Sequence, residues 1–177
     1  EDILDGRGQD AALAQPSGIT FDGKDTLYFA DSEGSAVRSL DIDTREVRTL
    51  IGKGLFDSGD KDGAWQDARL AHCLGIHYLR GFVYVADTYN HKVRVLDPAK
   101  KTVRTISGTG RGGFRDGTAG AFYEPDGLSA VGNLLYVADT DNHAVRVLDL
   151  TDEKLRTLPI VERDVIGADL PESARML

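Results

Sequence analysis

The sequence contains few side chains whose spacing suggests catalysis. His77 lies in a short apolar run, out of phase with Ile76 and Tyr78, and an imidazole there could bind a metal ion or transfer a proton. Thr20 and Ser129 occupy the matching positions in two further copies of the same pattern. No serine-hydrolase, zinc-peptidase or phosphate-loop motif is present, so we predict no catalytic residue, no cofactor and no metal ion.

Acidic and basic side chains recur in step along the chain. Three aspartates are each followed seven residues later by an arginine; the pairs are Asp31 with Arg38, Asp87 with Arg94, and Asp139 with Arg146. Catalysis rarely needs three copies of a group, so this repetition predicts structural ion pairs or hairpin braces. The alternative is a ring of arginines that binds a carboxylate or phosphate of a ligand.

Charge and composition exclude several classes of partner. The 177 residues carry 21 basic and 29 acidic side chains, and the net charge of −8 disfavours binding to nucleic acid or anionic lipid. No apolar run is long enough to span a bilayer, and the first residues lack a signal-peptide pattern, so we expect no membrane partner. Cys73 is the single cysteine, which gives no sign of an oxidising compartment. The compartment stays open, with the cytoplasm slightly favoured.

An internal repeat organises most of the sequence. The segments Leu27–Ser32, Val83–Thr88 and Leu135–Thr140 align almost residue for residue, and each is followed by a Val-Arg-x-Leu-Asp stretch. A third shared stretch and an upstream glycine before an apolar residue complete each copy. Every unit therefore contains four short elements in a fixed order.

The four elements of a unit are predicted to be β-strands. They are short, rich in β-branched and aromatic residues, and partly alternating; in the second unit they fall near 75–79, 82–86, 92–96 and 102–106. Four consecutive strands form an antiparallel meander that cannot bury both of its faces alone. Radial stacking of such meanders predicts an all-β fold, a β-propeller with four-stranded blades, three of them in this chain. In a propeller, Thr20, His77 and Ser129 become candidates for lining the central channel.

Two segments resemble the signature of the NHL repeat. They are Tyr84–Arg94 and Tyr136–Arg146, which contain the pairs Asn90-His91 and Asn142-His143. In the first unit Glu33–Ala36 occupies the same turn without this pair. The resemblance implies a closed ring of about six blades, in which the histidine ring braces its hairpin.

The links between units are long and repetitive. An Asp-Gly pair precedes the first-strand glycine in each unit, at Asp5, Asp62 and Asp116. We expect a packed turn and a short helical piece in each link, anchored by Leu13, Leu70 and Phe122. This extended pattern is similar to that of proteins that join a thioredoxin-like domain to an NHL propeller.

The resemblance sets the expected organisation and function. The blades are expected at about 12–53, 69–109 and 121–160 within a propeller region 1–160, with a tail or linker at 161–177. Three blades are half of a six-bladed ring, so either two chains close one ring or the chain is part of a longer one. We predict a non-catalytic scaffold that offers loop surfaces to protein or peptide partners. The alternative is a lyase-like or lactonase-like enzyme with a metal ion in the central channel.

Overall fold

The computed structural model describes residues 2–159, and these residues form three antiparallel sheets. The first sheet, blade 1, contains β1 (Gly6–Arg7), β2 (Pro16–Phe21), β3 (Thr26–Asp31), β4 (Ala36–Asp41) and β5 (Glu46–Ile51). Blade 2 contains β6 (Gly63–Ala64), β7 (Ile76–Leu79), β8 (Phe82–Asp87), β9 (Lys92–Asp97) and β10 (Thr102–Ser107). Blade 3 contains β11 (Pro125–Val131), β12 (Leu134–Asp139), β13 (Ala144–Asp149) and β14 (Lys154–Thr157).

The predicted all-β meander fold is confirmed. In each blade the long strands are hydrogen-bonded in sequence order, as in β7-β8-β9-β10. Side chains alternate between the two faces, and in β8 Val83 and Val85 point to one face while Tyr84 and Ala86 point to the other. The predicted strands of the second unit differ from the observed ones by at most one residue at either end.

The expected short helical piece is present in one link only. The link before blade 1 contains a 3-10 helix, Gly8–Asp10, whereas the described links before blades 2 and 3 contain no helix. In the links before blades 1 and 2, two residues add a short fifth strand to the outer edge of the blade, β1 against β5 and β6 against β10. Blade 3 has only an isolated bridge, between Gly117 and Leu155, at this position. Each of these two links is held in place because it pairs with the last strand of the blade that follows it in the sequence.

The hydrophobic core lies in the seams between blades. One cluster joins blades 1 and 2 and includes Val37, Leu70, Cys73 and Val85; a second cluster joins blades 2 and 3 around Phe122. The first strands of neighbouring blades meet at the inner edge, where the Gly18 N–H donates to the Leu74 carbonyl at 3.0 Å. Leu70 and Phe122 are buried as expected of anchors, whereas Leu13 is 40% exposed.

Both end blades have an outer face that no other blade covers within residues 2–159. The leading face, on blade 1, carries Leu13, Ile19 and Phe21; the trailing face, on blade 3, carries Ala138 and Leu158. Ile19 is 61% exposed, while its counterpart Ile76 in blade 2 is 5% exposed. The exposure of Leu13 has the same cause, since a preceding blade would cover it. In the described part of the chain no helix is long and apolar enough to cross a membrane.

Candidate functional site

Each blade contains one buried ion pair between its second and third long strands. Arg38 donates to Asp31 at 3.0 Å, Arg94 to Asp87 at 2.8 Å, and Arg146 to Asp139 at 2.6 Å. All six side chains are at most 1% exposed. A buried charge needs a partner of opposite sign, and in each pair the arginine and the aspartate compensate each other's charge.

The buried aspartates also hold the links. The backbone N–H of Gln15 donates to Asp31 at 2.6 Å, that of Ala71 to Asp87 at 2.7 Å, and that of Tyr123 to Asp139 at 2.7 Å. Each carboxylate therefore binds the chain just before the first strand of its own blade. Charge-assisted hydrogen bonds of this kind are among the stronger ones in proteins, and they fix the course of the link.

A second aspartate completes the network around each arginine. Arg146 also donates to Asp116 at 2.6 Å, and Asp116 accepts from the backbone N–H and the hydroxyl of Thr157 at 3.2 and 3.0 Å. Asp5 and Asp62 do the same for Arg38 and Arg94 and for the matching threonines Thr49 and Thr105. The repeated Asp-Gly pairs of the links are thus explained: they supply the outer carboxylate of each network.

These contacts favour the structural interpretation of the arginines over the ligand-binding ring. The three guanidinium groups are buried and already paired with carboxylates of their own blade. They are therefore not free to form a ring that binds an anionic ligand. Asp60, in the link before blade 2, adds a further carboxylate to Arg94 and accepts a hydrogen bond from Lys92.

Burial and pairing shift the pKa values of this network in opposite directions. Burial raises the pKa of Asp87, against the lowering effect of Arg94 and the Ala71 N–H. Burial works against the charge of Arg94, but its three aspartate partners raise its pKa nevertheless. At Asp116 slight burial is outweighed by the hydrogen bonds from Arg146 and Thr157, which lower its pKa. Arg94 therefore keeps its charge, and Asp116 is held in its ionised form.

The signature histidine connects one blade to the next. His91 has a left-handed backbone, with φ of 52°, at the end of the 3-10 turn Thr88–Asn90, and its Nδ1 accepts a hydrogen bond from the backbone N–H of Glu124 at 3.1 Å. Its ring also meets the edge of Tyr123, with ring centres 5.3 Å apart. The expected partner was the hairpin of its own blade; the observed partners lie in the link of blade 3.

Blade 1 makes the same connection without a histidine. Ser35 has the same left-handed backbone, with φ of 46°, and its hydroxyl accepts a hydrogen bond from the backbone N–H of His72 at 3.0 Å. His72 and Glu124 occupy equivalent places in their links. His143 has φ of 51° at the matching position of blade 3, where it is exposed on the trailing face.

The signature asparagines bind their own blade. The Asn90 side-chain amide donates to Asp87 at 2.9 Å and to the Gly59 carbonyl at 2.7 Å. The Asn142 amide donates to Asp139 at 2.8 Å and to the Gly113 carbonyl at 2.9 Å. The Asn-His pair therefore has two separate tasks, because the asparagine fixes the link inside the blade and the histidine reaches the neighbouring blade.

First-strand glycines allow neighbouring blades to approach closely. A Cβ atom on Gly18 would lie 2.4 Å from the Leu74 carbonyl oxygen, and one on Gly75 would lie 1.9 Å from the Asp126 carbonyl oxygen. At Gly127 the nearest atom would be 3.7 Å away, on Ala138 of the same blade. The close approach therefore occurs where two blades meet. At Gly127 no further blade of the described chain lies against the glycine.

The three channel candidates lie on the first strands but are not equivalent. The Thr20 hydroxyl accepts a hydrogen bond from the Tyr78 N–H at 3.0 Å, which places it between two first strands. His77 is partly buried, and this burial lowers its pKa. Ser129 is exposed. Their role in lining a channel stays a prediction. Within residues 2–159 no cluster of three or more His, Cys, Asp or Glu side chains could hold a metal ion.

The fold and its seams define consecutive blades of a β-propeller. Residues 122–148, which include the signature turn of blade 3, match the NHL repeat family.

Relatives of known name extend the match over most of the chain. It is 40% identical over 179 residues to NHL repeat-containing protein 2 of Homo sapiens, an alignment that covers 91% of this chain and 24% of that protein. It is 42% identical over 167 residues to Protein SUPPRESSOR OF QUENCHING 1, chloroplastic, of Arabidopsis thaliana, covering 86% of this chain and 16% of that protein. The chain thus spans about a quarter or less of the length of these relatives.

Solved structures show the same fold at low sequence identity. An auxiliary nutrient binding protein from Bacteroides ovatus superimposes with a TM-score of 0.63 and 21% identity, covering 81% of this chain and 38% of that chain. A catalytically inactive virginiamycin B lyase from Staphylococcus aureus gives a TM-score of 0.59 at 11% identity, covering 85% and 43% of the two chains. These likenesses show the fold alone.

Proposed function

We propose that the chain is a non-catalytic binding platform whose open blade faces and loop surfaces receive protein or peptide partners. The observation that carries the proposal is the seam itself. Both internal seams use the same close-packed glycine and the same hydrogen bond from an N–H of the next link to the signature turn. The trailing face presents the glycine and the signature turn of this arrangement. The leading face presents the link of the following blade.

The residues of the exposed leading and trailing faces match residues that are buried in the internal seams. Ala138 is exposed, whereas its counterparts Ala30 and Ala86 are fully buried in the seams. Ile19 is exposed, whereas its counterpart Ile76 is buried. Exposed apolar surface of this kind marks an interaction site in a soluble protein. The occupant that fits both faces is another blade of the same kind.

We infer that a second copy of the chain supplies that blade. The trailing face of one copy fits the leading face of another by the contacts that join blades 1 and 2, and two copies of three blades complete a ring of six. Blades from elsewhere in a longer polypeptide would satisfy the same faces, and the mass of the isolated chain in solution distinguishes these sources.

A link to redox proteins is part of the same proposal. The extended Asp-Gly links resemble those of proteins that join a thioredoxin-like domain to an NHL propeller, and the named relatives are several times longer than this chain. In such a protein the blades would act as the scaffold that presents partners to a separate domain.

The substitution Gly127→Ala tests the platform directly. Its Cβ has room within the chain but would meet the backbone of an incoming blade, as a Cβ on Gly75 would meet Asp126. We expect G127A to fold normally and to lose self-association in analytical ultracentrifugation. The substitution Lys24→Ala, at an exposed position in the turn between β2 and β3, is the control and should leave association unchanged. Equal association of G127A and the unmodified chain would contradict closure through this face.

A further inference from the structure

The two internal seams are packed differently, although they are built on the same repeat. In the seam of blades 1 and 2, Tyr78 stacks on Tyr28 with ring centres 6.0 Å apart, and Trp65 packs against the same cluster. In blade 3, Ala130 occupies the position of Tyr78. Ala119 follows Gly117 by the same two residues by which Trp65 follows Gly63. Two aromatic side chains of the first seam are therefore alanines in the second.

A cavity lies against Tyr84, the counterpart of Tyr28, on which Tyr78 stacks in the other seam. It has a volume of about 500 Å³ and lies between blades 2 and 3. Its lining is mixed, with apolar side chains that include Phe82, Tyr84 and Ile106 beside the polar or charged Asp97, Lys100, Thr102, Arg104 and Glu153. A shallower pocket of about 260 Å³ shares Phe82, Tyr84 and Leu150 with it and extends toward Arg80. A cavity of this size and lining is typical of a site for a small organic group.

The cavity also contains an unused polar group. Tyr84 is 8% exposed, and its hydroxyl makes no hydrogen bond to another side chain or backbone group in the described chain. Burial raises the pKa of Tyr84, against the lowering effect of Arg104 and Arg80, so the hydroxyl stays protonated and can donate. Tyr84 lines the cavity, where a ligand oxygen can accept a hydrogen bond from its hydroxyl.

The rim of the cavity carries three basic and two acidic side chains. Arg80, Lys100 and Arg104 stand at the edge of the two pockets together with Asp97 and Glu153, in a chain of net charge −8. Lys100 pairs with Asp97 at 3.2 Å, and Arg104 pairs with Glu153 at 2.6 Å. Arg104 and Glu153 are both about half exposed, so this pair is weak and open to exchange with an incoming carboxylate.

We propose that this cavity between blades 2 and 3 binds a peptide through an aromatic side chain followed by a carboxylate. The aromatic ring packs against Tyr84, as Tyr78 packs against Tyr28 in the other seam, and a backbone oxygen accepts from the Tyr84 hydroxyl. The carboxylate binds Arg104 in place of Glu153. The inference rests on the proposed binding function and names one class of partner for it.

The test uses the synthetic peptide acetyl-Gly-Phe-Glu-Gly-amide and two analogues, one with glutamine for glutamate and one with alanine for phenylalanine. Binding is followed by chemical-shift changes in the amide spectrum of the 15N-labelled chain. We expect shifts around Tyr84 and Ile106 with the first peptide, binding weaker by about tenfold with the glutamine analogue, and none with the alanine analogue.

Three variants locate the site. Ala130→Tyr restores the aromatic group of the other seam and should abolish binding, while Arg104→Gln should weaken it by about tenfold and Glu153→Gln should strengthen it. Arg48→Gln, at the matching exposed position of blade 1, is the control and should change nothing. Arg104 is exposed, so its variant keeps the test decisive if A130Y does not fold.

Unchanged affinity in both R104Q and A130Y, or no binding of the first peptide, would overturn the inference. Such a result leaves the proposed platform intact if G127A still abolishes self-association. Failure of both experiments removes the proposed function as well.

Discussion

The imidazole Nδ1 of His91 accepts a hydrogen bond from the backbone N–H of Glu124 across the seam between blades 2 and 3, at 3.1 Å. The hydroxyl of Ser35 accepts the equivalent bond from His72 at 3.0 Å across the seam between blades 1 and 2. Two different side chains thus satisfy equivalent, partly buried backbone donors. The signature position is defined by this acceptor, and histidine is one way to provide it.

The first prediction concerns this acceptor. His91→Ala removes it and leaves the Glu124 N–H without a partner, so the free energy of unfolding should fall by about 1–2 kcal/mol in a urea titration. His91→Ser should lose clearly less, because serine already performs this task at position 35. Both variants keep the same left-handed backbone, which makes them a matched pair. An equal loss in the two variants would show that the hydrogen bond contributes little.

The second prediction separates the two carboxylates of one network. Asp139 is fully buried beside Arg146, whereas the side chain of Asp116 is 52% exposed. Asp139→Asn removes the buried countercharge and should cost about 3 kcal/mol or more, while Asp116→Asn should cost about 1 kcal/mol. Chemical unfolding of the two variants measures both values. The reverse order would mean that the exposed aspartate is the main partner of Arg146.

The third prediction concerns close packing at the inner edge. A Cβ on Gly75 would lie 1.9 Å from the Asp126 carbonyl oxygen, so the backbone must shift, and Gly75→Ala should lower the free energy of unfolding by about 2 kcal/mol. Gly127→Ala is the matched control, since its nearest atom would be 3.7 Å away. At concentrations where the chain is monomeric, G127A should be as stable as the unmodified protein. A tolerated G75A would contradict the described seam.

The fourth prediction is a pH dependence. Despite slight burial, hydrogen bonds from Arg146 and Thr157 lower the pKa of Asp116 below its ordinary value of 3.8. The folded state then binds this proton less readily than the unfolded state, so the stabilisation is present above pH 3.8 and is lost as the pH falls through the folded pKa.

The variant Asp116→Asn isolates this contribution. The stability difference between the unmodified chain and D116N should be largest near neutral pH and should shrink below pH 3.8. Asp87, whose pKa burial raises, contributes with the opposite sign, but it does so equally in both proteins and cancels from the difference. A difference that is constant from pH 7 to pH 3 would show that the charge of Asp116 is not involved.

The strands could be predicted because local pattern determines them. Alternation and β-branched residues place β7 to β10 within one residue of the observed bounds. The outer strands β1 and β6 could not be predicted, because two residues such as Gly63–Ala64 carry no period. The pairing of β1 with β5 and of β6 with β10 depends on contacts across about forty residues.

The candidate site was predictable only in its repeated residues. The recurrence of Asp87 and Arg94 indicated an ion pair, and the structure supplies the third member, Asp62, whose repetition in the links was the available signal. Ser35 carried no signal, since its turn lacks the Asn-His pair. Leu13 was expected to be an anchor, but it would be buried only with a blade before it.

The measurement that tests the account most directly is the absolute mass of the 177-residue chain in solution, by light scattering on a sizing column over a range of concentrations. The account predicts a species near twice the 19.2 kDa chain mass, in which the leading and trailing faces of two copies cover each other. A monomer at every concentration, with no binding of a dye for exposed apolar surface, would contradict it.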